Sequence, residues 1–222
     1  MAAENDTKPE AKADSGLKEE EAAEPPPLKK AKSATAETEE EPAPAPAPPD
    51  APAAPAQPPK MVAMQPENID VEDAAGGTRL TCKSGRVHSV AIGTDPLADG
   101  AAFKIDIETI GENGWVFAGV TAEEAPGPDA MSFGWATGFE VYVDGAIKAN
   151  RDGWVQWKEG DKAVLRLRGG ELGMYHLRLK KTFVLPMPAA GEGGFRSHLS
   201  FFSPGDRVLV TVPTAEEIAL VG

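Results

Sequence analysis

Gly114-Trp-Val-Phe-Ala-Gly-Val120, Ser132-Phe-Gly-Trp-Ala-Thr-Gly-Phe-Glu-Val-Tyr-Val-Asp-Gly145 and Gly153-Trp-Val-Gln-Trp-Lys-Glu-Gly-Asp161 are consecutive pieces of one stretch. It holds all four tryptophans of the chain, Trp115, Trp135, Trp154 and Trp157, three of them directly after a glycine. Large rings beside glycines, on runs that alternate or read as extended, imply tightly turned strands around an aromatic core. Trp135, between Gly134 and a strand-rich segment, is expected to be buried and structural.

The same pattern extends outward in both directions. Phe103, Ile105 and Ile107 alternate with Lys104, Asp106 and Glu108, the period-two signature of a half-buried strand. Asn113-Gly114 offers the φ > 0 positions of a tight hairpin between that strand and Trp115–Val120. Asp144-Gly145 repeats the device between Phe139–Val143 and Ala146–Ala149, and Gly169-Gly170 does so between Lys162–Arg168 and Glu171–Leu179. Further strands are expected at Thr182–Met187, Phe195–Phe202 and Arg207–Val212, with weaker signals at Arg79–Cys82 and Val87–Ile92. Ten or so short strands with frequent turns and no long amphipathic helix read as an all-β, antiparallel sandwich. Thr214 and Glu217, after Pro213, have capping-box spacing for a short helix.

Composition divides the chain. Residues 1–60 hold no aromatic side chain, 13 of the 21 prolines, and 7 lysines against 13 acids. Such a segment cannot bury enough apolar surface to offset a backbone entropy of roughly 1–2 kcal/mol per residue, so disorder is expected over 1–75. The sandwich is expected over 76–213 and a short extension over 214–222. Within the tail, Pro42–Pro59 is an alternating Pro/Ala run suited to extended polyproline II. Lys29, Lys30 and Lys32 follow three prolines and resemble a nuclear-localisation cluster, with Ser33 and Thr35 placed to mask it on phosphorylation. The plain alternative is a chance basic island in a solvated acidic tail.

Net charge is −13, shared between both parts of the chain, which argues against a general nucleic-acid binder needing a basic face. A lone cysteine, Cys82, leaves no intramolecular disulfide and no zinc knuckle. The first residues, MAAENDTKPEAK, lack an apolar signal core, and no apolar run approaches the ~20 residues of a membrane span. A nuclear or cytoplasmic location without membrane attachment is expected. Asn5-Asp6-Thr7 matches a glycosylation sequon and is read as chance in that setting.

Signals for chemistry are sparse. His88, His176 and His198 lack ligand spacing with one another or with Cys82. No phosphate-binding glycine motif is present, and Ser132 lies in AMSFG rather than in a GxSxG elbow. No cofactor or metal and no catalytic residue are expected. A hydrolase built on paired carboxylates is the lesser alternative, and a carbohydrate-binding sandwich with exposed tryptophans the better one. Arg166 and Arg168 alternate outward against Leu165 and Leu167, with Arg178, Lys180 and Lys181 on the partner strand, so a local basic face is expected, read first as an ordinary solvated strand face.

The ordered pieces Gly100-Ala-Ala-Phe-Lys-Ile-Asp-Ile107, Val116-Phe-Ala-Gly-Val120, Ser132-Phe-Gly-Trp135, Gly138 through Tyr142-Val-Asp-Gly145, and Trp157-Lys-Glu-Gly-Asp161 resemble the motifs of the SPRY domain family. The resemblance spans about residues 78–212 and weakens after Asp161. It implies a bent β-sandwich that binds a partner protein or peptide through loops at one end, without catalysis. On that resemblance one contacting loop is the acidic, proline-stiffened Glu123, Glu124, Pro126, Pro128 and Asp129, and another lies at Phe201 and Phe202.

Overall fold

The computed structural model describes residues 59–222 apart from Arg86, residues 125–130 and Asn150. Lys29, Lys30, Lys32, Pro126, Pro128 and Asp129 therefore lie outside the described residues. In chain order the strands are β1 (Met61–Ala63), β2 (Ile69–Ala74), β3 (Gly77–Cys82), β4 (Ser89–Gly93), β5 (Ala102–Thr109), β6 (Val116–Thr121) and β7 (Ser132–Ala136). They continue as β8 (Glu140–Val143), β9 (Ala146–Ala149), β10 (Lys162–Arg168), β11 (Glu171–His176), β12 (Lys181–Pro186), β13 (Arg196–Phe201) and β14 (Arg207–Thr211), followed by helix α1 (Ala215–Ala219).

Two seven-stranded sheets result, with orders β1-β4-β13-β6-β7-β8-β9 and β12-β11-β10-β5-β14-β3-β2, and neighbours pair antiparallel. The fold is an all-β antiparallel sandwich. Alternation in β5 works as read: Phe103, Ile105 and Ile107 are buried while Lys104 and Asp106 are half-exposed. They share one core with Val116, Ala118 and Val120 of β6 and with Trp135 of β7. The tryptophan-rich stretch is stitched together by its own polar handles. Trp154 and Trp157 donate their indole N–H groups to the carbonyls of Ala136 and Trp135, each at 2.9 Å, so both rings are buried without an orphaned donor. Asp161, also buried, accepts from the Lys158 N–H at 2.8 Å and from Arg178 at 2.5 and 3.0 Å, and it lies 3.2 Å from His176 Nε2.

Local turn signals are realised where strands are sequence neighbours. Asp144 and Gly145 have φ of 57° and 71°, Gly169 and Gly170 of 58° and 78°, as two-residue hairpin turns require. Three expectations need correction. Asn113 does take φ 61°, but Asn113-Gly114 closes no hairpin: β5 pairs with β10 and β14 in one sheet, β6 with β13 and β7 in the other. The turn carries the chain between the two sheets. The expected boundary at 75/76 also falls too late. β1 pairs with β4 and β2 with β3, so residues 61–74 belong to the sheets. β2 is an edge strand with four exposed residues in a row, and its backbone pairing leaves little trace in side-chain pattern. Finally, β11 ends at His176, which places Arg178 in a turn against Asp161 rather than on the face of Arg166 and Arg168.

Candidate functional site

Asp206 is the residue from which the site is best built. Its carboxylate is fully buried and accepts from the backbone N–H groups of Gly111 at 2.8 Å, Trp115 at 3.2 Å and Ser203 at 3.2 Å. Burial raises its pKa, and the converging N–H donors act in the opposite direction. The loop entering β6 and the loop leaving β13 are thus clasped to one side chain. Ser203 Oγ donates to the Asn113 carbonyl at 2.9 Å, and the Phe202 N–H donates to the Trp115 carbonyl at 3.1 Å. Gly114 lets the chain pass: a Cβ there would sit 2.5 Å from Asp206 Oδ1 and 2.3 Å from Ile110 Cγ2.

What the clasp presents is aromatic. His88 lies edge-on to Trp115 with ring centres 4.8 Å apart and tilted against Phe202 at 5.1 Å. Trp115 meets Tyr142 at 6.2 Å, nearly perpendicular. Glu140 Oε2 accepts both the Trp115 indole N–H at 3.0 Å and the Tyr142 hydroxyl at 3.3 Å. Burial, then the charge of Glu140, pushes Tyr142 up to about 12. Around these rings the loops expose Val87 (52 %), Phe139 (48 %) and Phe202 (37 %). Register explains the gathering. Phe201 stands opposite both Ser89 and Val116, and Phe117 opposite Ala136, so the start of β4, the end of β13, the start of β6 and the end of β7 all meet at one end of the first sheet.

The residues proposed from sequence are split by that same register. Arg196 pairs with Thr121 and Phe201 with Val116, so Glu123 and Glu124, just beyond Thr121, lie at the opposite end of the β6–β13 pair from Phe202. Five strand residues separate the ends, about 17 Å. Glu123 accepts from the Met131 N–H at 3.0 Å, and Glu124 accepts from Arg196 Nη2 at 3.3 Å. Phe201 is fully buried on the core side of β13 and leaves only Phe202 for contact. Val87, His88, Trp115 and Phe139 were not singled out as contact residues. Their gathering depends on strand pairings far apart in sequence, and only the exposed aromatic beside a turn, as at Phe139, is a local hint.

Between the two ends the outward face of the first sheet is closed. Gly119 and Gly134 stand opposite each other, and a Cβ on either would come within 2.9 Å of the Phe117 ring edge. Phe117 lies beside His198 at 4.9 Å, and His198 Nδ1 is 3.2 Å from Ser132 Oγ. Nε2 of His198 has no hydrogen-bond partner among the described residues, so no acid orients the ring toward the serine as a base would need. Burial alone drives His198 down to about 3. The folded protein keeps this ring neutral while the unfolded chain takes up a proton below 6.5, so its stabilising contribution is present above pH 6.5 and fades as pH falls toward 3. From pH 7 to pH 5 it should remove about 2 kcal/mol of stability. Urea unfolding of the parent and His198→Asn at both pH values checks this: the asparagine variant should lose that share of the slope.

A cleft of about 270 Å³ lies elsewhere, lined by Leu97, Leu167, Met187, Pro188 and Phe195 among others. Its one acidic lining residue, Asp99, accepts from the Gly169 N–H at 2.7 Å. Among the described residues no three His, Cys, Asp or Glu side chains are grouped as metal ligands, and no helix is long and apolar enough to cross a membrane.

No family model matches the chain, and no curated protein matches it. Solved structures do. The SPRY domain of human HERC1 is similar at 13 % identity and TM-score 0.48, over 67 % of this chain and 96 % of that one. The carbohydrate-binding module CBM66 from Bacillus subtilis is similar at 10 % identity and TM-score 0.45, over 71 % and 95 %. A toad ovary galectin, solved in complex with thio-digalactose, is similar at 8 % identity and TM-score 0.40, over 57 % and 99 %. In structure the chain resembles SPRY domains.

Proposed function

We propose that the sandwich is a non-catalytic protein-interaction module that holds a partner segment against Val87, His88, Trp115, Phe139 and Phe202. The observation that carries this reading is the gathering at one end of the first sheet of three exposed apolar side chains with the His88 and Trp115 rings, where one buried carboxylate pins the loops that carry Trp115 and Phe202. Rigid aromatic anchors with an apolar surround are what a protein contact uses, because they lose little entropy on binding. A sugar platform is less well supported. Trp135, Trp154 and Trp157 are buried, and Trp115 already meets His88 and Tyr142 edge-on while donating to Glu140.

Selection of peptide ligands on the full chain, followed by affinity measurements, tests the reading. Phe202→Ala should weaken a selected peptide at least tenfold with melting unchanged within a few degrees, whereas Glu124→Ala, at the far end, should leave affinity as it was. Glycan binding that is lost in Trp115→Ala, with no peptide selected, would overturn it in favour of the carbohydrate reading. For the tail we propose nuclear import through Lys29, Lys30 and Lys32, supported by their spacing after three prolines. Replacing all three with alanine should move a fluorescent fusion from nucleus to cytoplasm, and an unchanged distribution removes the proposal.

A further inference from the structure

The cleft lined by Leu97, Leu167, Met187, Pro188 and Phe195 is a second place where the fold leaves apolar surface open. Leu97 comes from the loop between β4 and β5, Leu167 from the end of β10, Met187 and Pro188 from the exit of β12, and Phe195 from the residue before β13. Phe195 is buried and meets Phe133 edge-on at 6.0 Å, while Leu97 and Met187 pack against the main core and stay half-buried. The polar groups nearby are already engaged. The Leu97 N–H donates to the Phe195 carbonyl at 2.6 Å, the Gly100 N–H to the Leu167 carbonyl at 2.7 Å and the Met187 N–H to the Gly170 carbonyl at 2.8 Å, and Asp99 holds the Gly169 N–H. An occupant must therefore bring apolar surface and few N–H groups, since a donor buried there without an acceptor is costly.

The chain itself enters the sandwich close to this cleft. Lys60 accepts from the Thr94 N–H at 2.8 Å, and Arg196 donates to the Thr94 carbonyl. Register carries Lys60, Thr94 and Arg196 into one row at the ends of β1, β4 and β13, so two strand spacings, about 10 Å, separate Lys60 from Arg196. Leu97 lies three residues after Thr94, and Phe195 one before Arg196. Immediately before Lys60, residues 51–59 read Ala-Pro-Ala-Ala-Pro-Ala-Gln-Pro-Pro, with no charge between Asp50 and Lys60. Four of these nine are prolines, which have no N–H to strand in an apolar site. In polyproline II form eight residues reach about 25 Å, ample for the distance, and a Pro-rich segment of that form docks on apolar and aromatic surface at low entropic cost.

We infer that the cleft is a proline-binding site for the chain's own residues 51–58, which lie outside the described residues. Prolyl rings of that segment fill the space between Leu97, Met187 and Phe195, and the uncharged run from residue 51 to residue 59 is what lets the segment lie there beside Asp99 without bringing a second carboxylate to it. The site is distinct from the Phe202 surface, because Arg196 and Phe201 mark opposite ends of β13.

The probe is the acetylated, amidated peptide Ala-Pro-Ala-Ala-Pro-Ala-Gln-Pro, titrated into the full chain and into a full chain whose residues 51–58 are replaced by Gly and Ser. The methyl signals of Leu97, Leu167 and Met187 are the readout. The replacement touches no strand, so folding is not at stake. Leu97 and Met187 methyls of the replaced chain should differ from those of the parent and return to the parent positions on saturation with peptide. The peptide should bind the replaced chain at least tenfold tighter than the parent, where the tethered segment competes at an effective concentration of about millimolar. Val87 methyls should not move, and a peptide with Ser at each Pro should bind neither chain. Methyl signals that coincide in parent and replaced chains overturn the inference. So does equal affinity for the two, which leaves the cleft open to a partner's segment, and so do parent signals that change on dilution, which assign the occupant to a second copy.

Discussion

Trp135→Ala should lower the unfolding free energy by about 3–5 kcal/mol, as expected for removing a fully buried large ring from a core that relaxes only in part. Trp135 is 1 % exposed and stands in β7 between Gly134 and Ala136, packed into the core that joins both sheets. Its carbonyl also receives the Trp157 indole N–H, so a shift of β7 around the cavity would disturb the 154–157 segment as well. The loss is a large share of the ~5–15 kcal/mol that holds a typical domain together. Urea melts of the variant and parent check it. A variant that melts like the parent would mean that the ring contributes no packing, against its burial.

Asp206→Ala should cost about 3–5 kcal/mol, because the buried N–H groups of Gly111, Trp115 and Ser203 lose their acceptor together and each orphaned donor costs about 1–3 kcal/mol before relaxation. This variant differs from the tryptophan change in where the damage falls. The clasp joins the loops that carry Trp115 and Phe202, so amide exchange should rise over 110–115 and 202–206 more than in β10 or β11. Binding at the Phe202 surface should fall along with stability. Asp206→Asn keeps an acceptor oxygen and should recover part of both. If exchange rose evenly over the whole domain, the carboxylate would be a general core group and not the organiser of those loops.

Phe202 shows how a candidate site can be partly legible. An aromatic pair at the end of an alternating run marks a strand end, and the alternation alone settles that Phe201 and Phe202 face opposite ways. Which of the two points into the core depends on what the strand lies against. Glu123 and Glu124 were legible as a polar loop, but not as a loop at the far end of the sheet from Phe202. That fact is a matter of register between β6 and β13, strands separated by more than 70 residues.

Interactions closed within a few residues could be read from the chain directly. The Asp144-Gly145 and Gly169-Gly170 turns, the alternation of β5 and the capping box at Thr214 depend on backbone φ, side-chain period and short hydrogen bonds, all encoded locally. Tryptophans beside glycines likewise announced a β core, because few other environments accept such rings in short strands. Folding alone settled the rest. β5 takes β10 and β14 as neighbours instead of β6, the edge strands β1 and β2 join the sheets through backbone bonds, and Asp206 receives N–H groups from some 90 residues earlier in the chain. Each of these depends on which distant strand offers a partner at the right register. A side-chain pattern with period two specifies a face to bury, and it does not specify against whom.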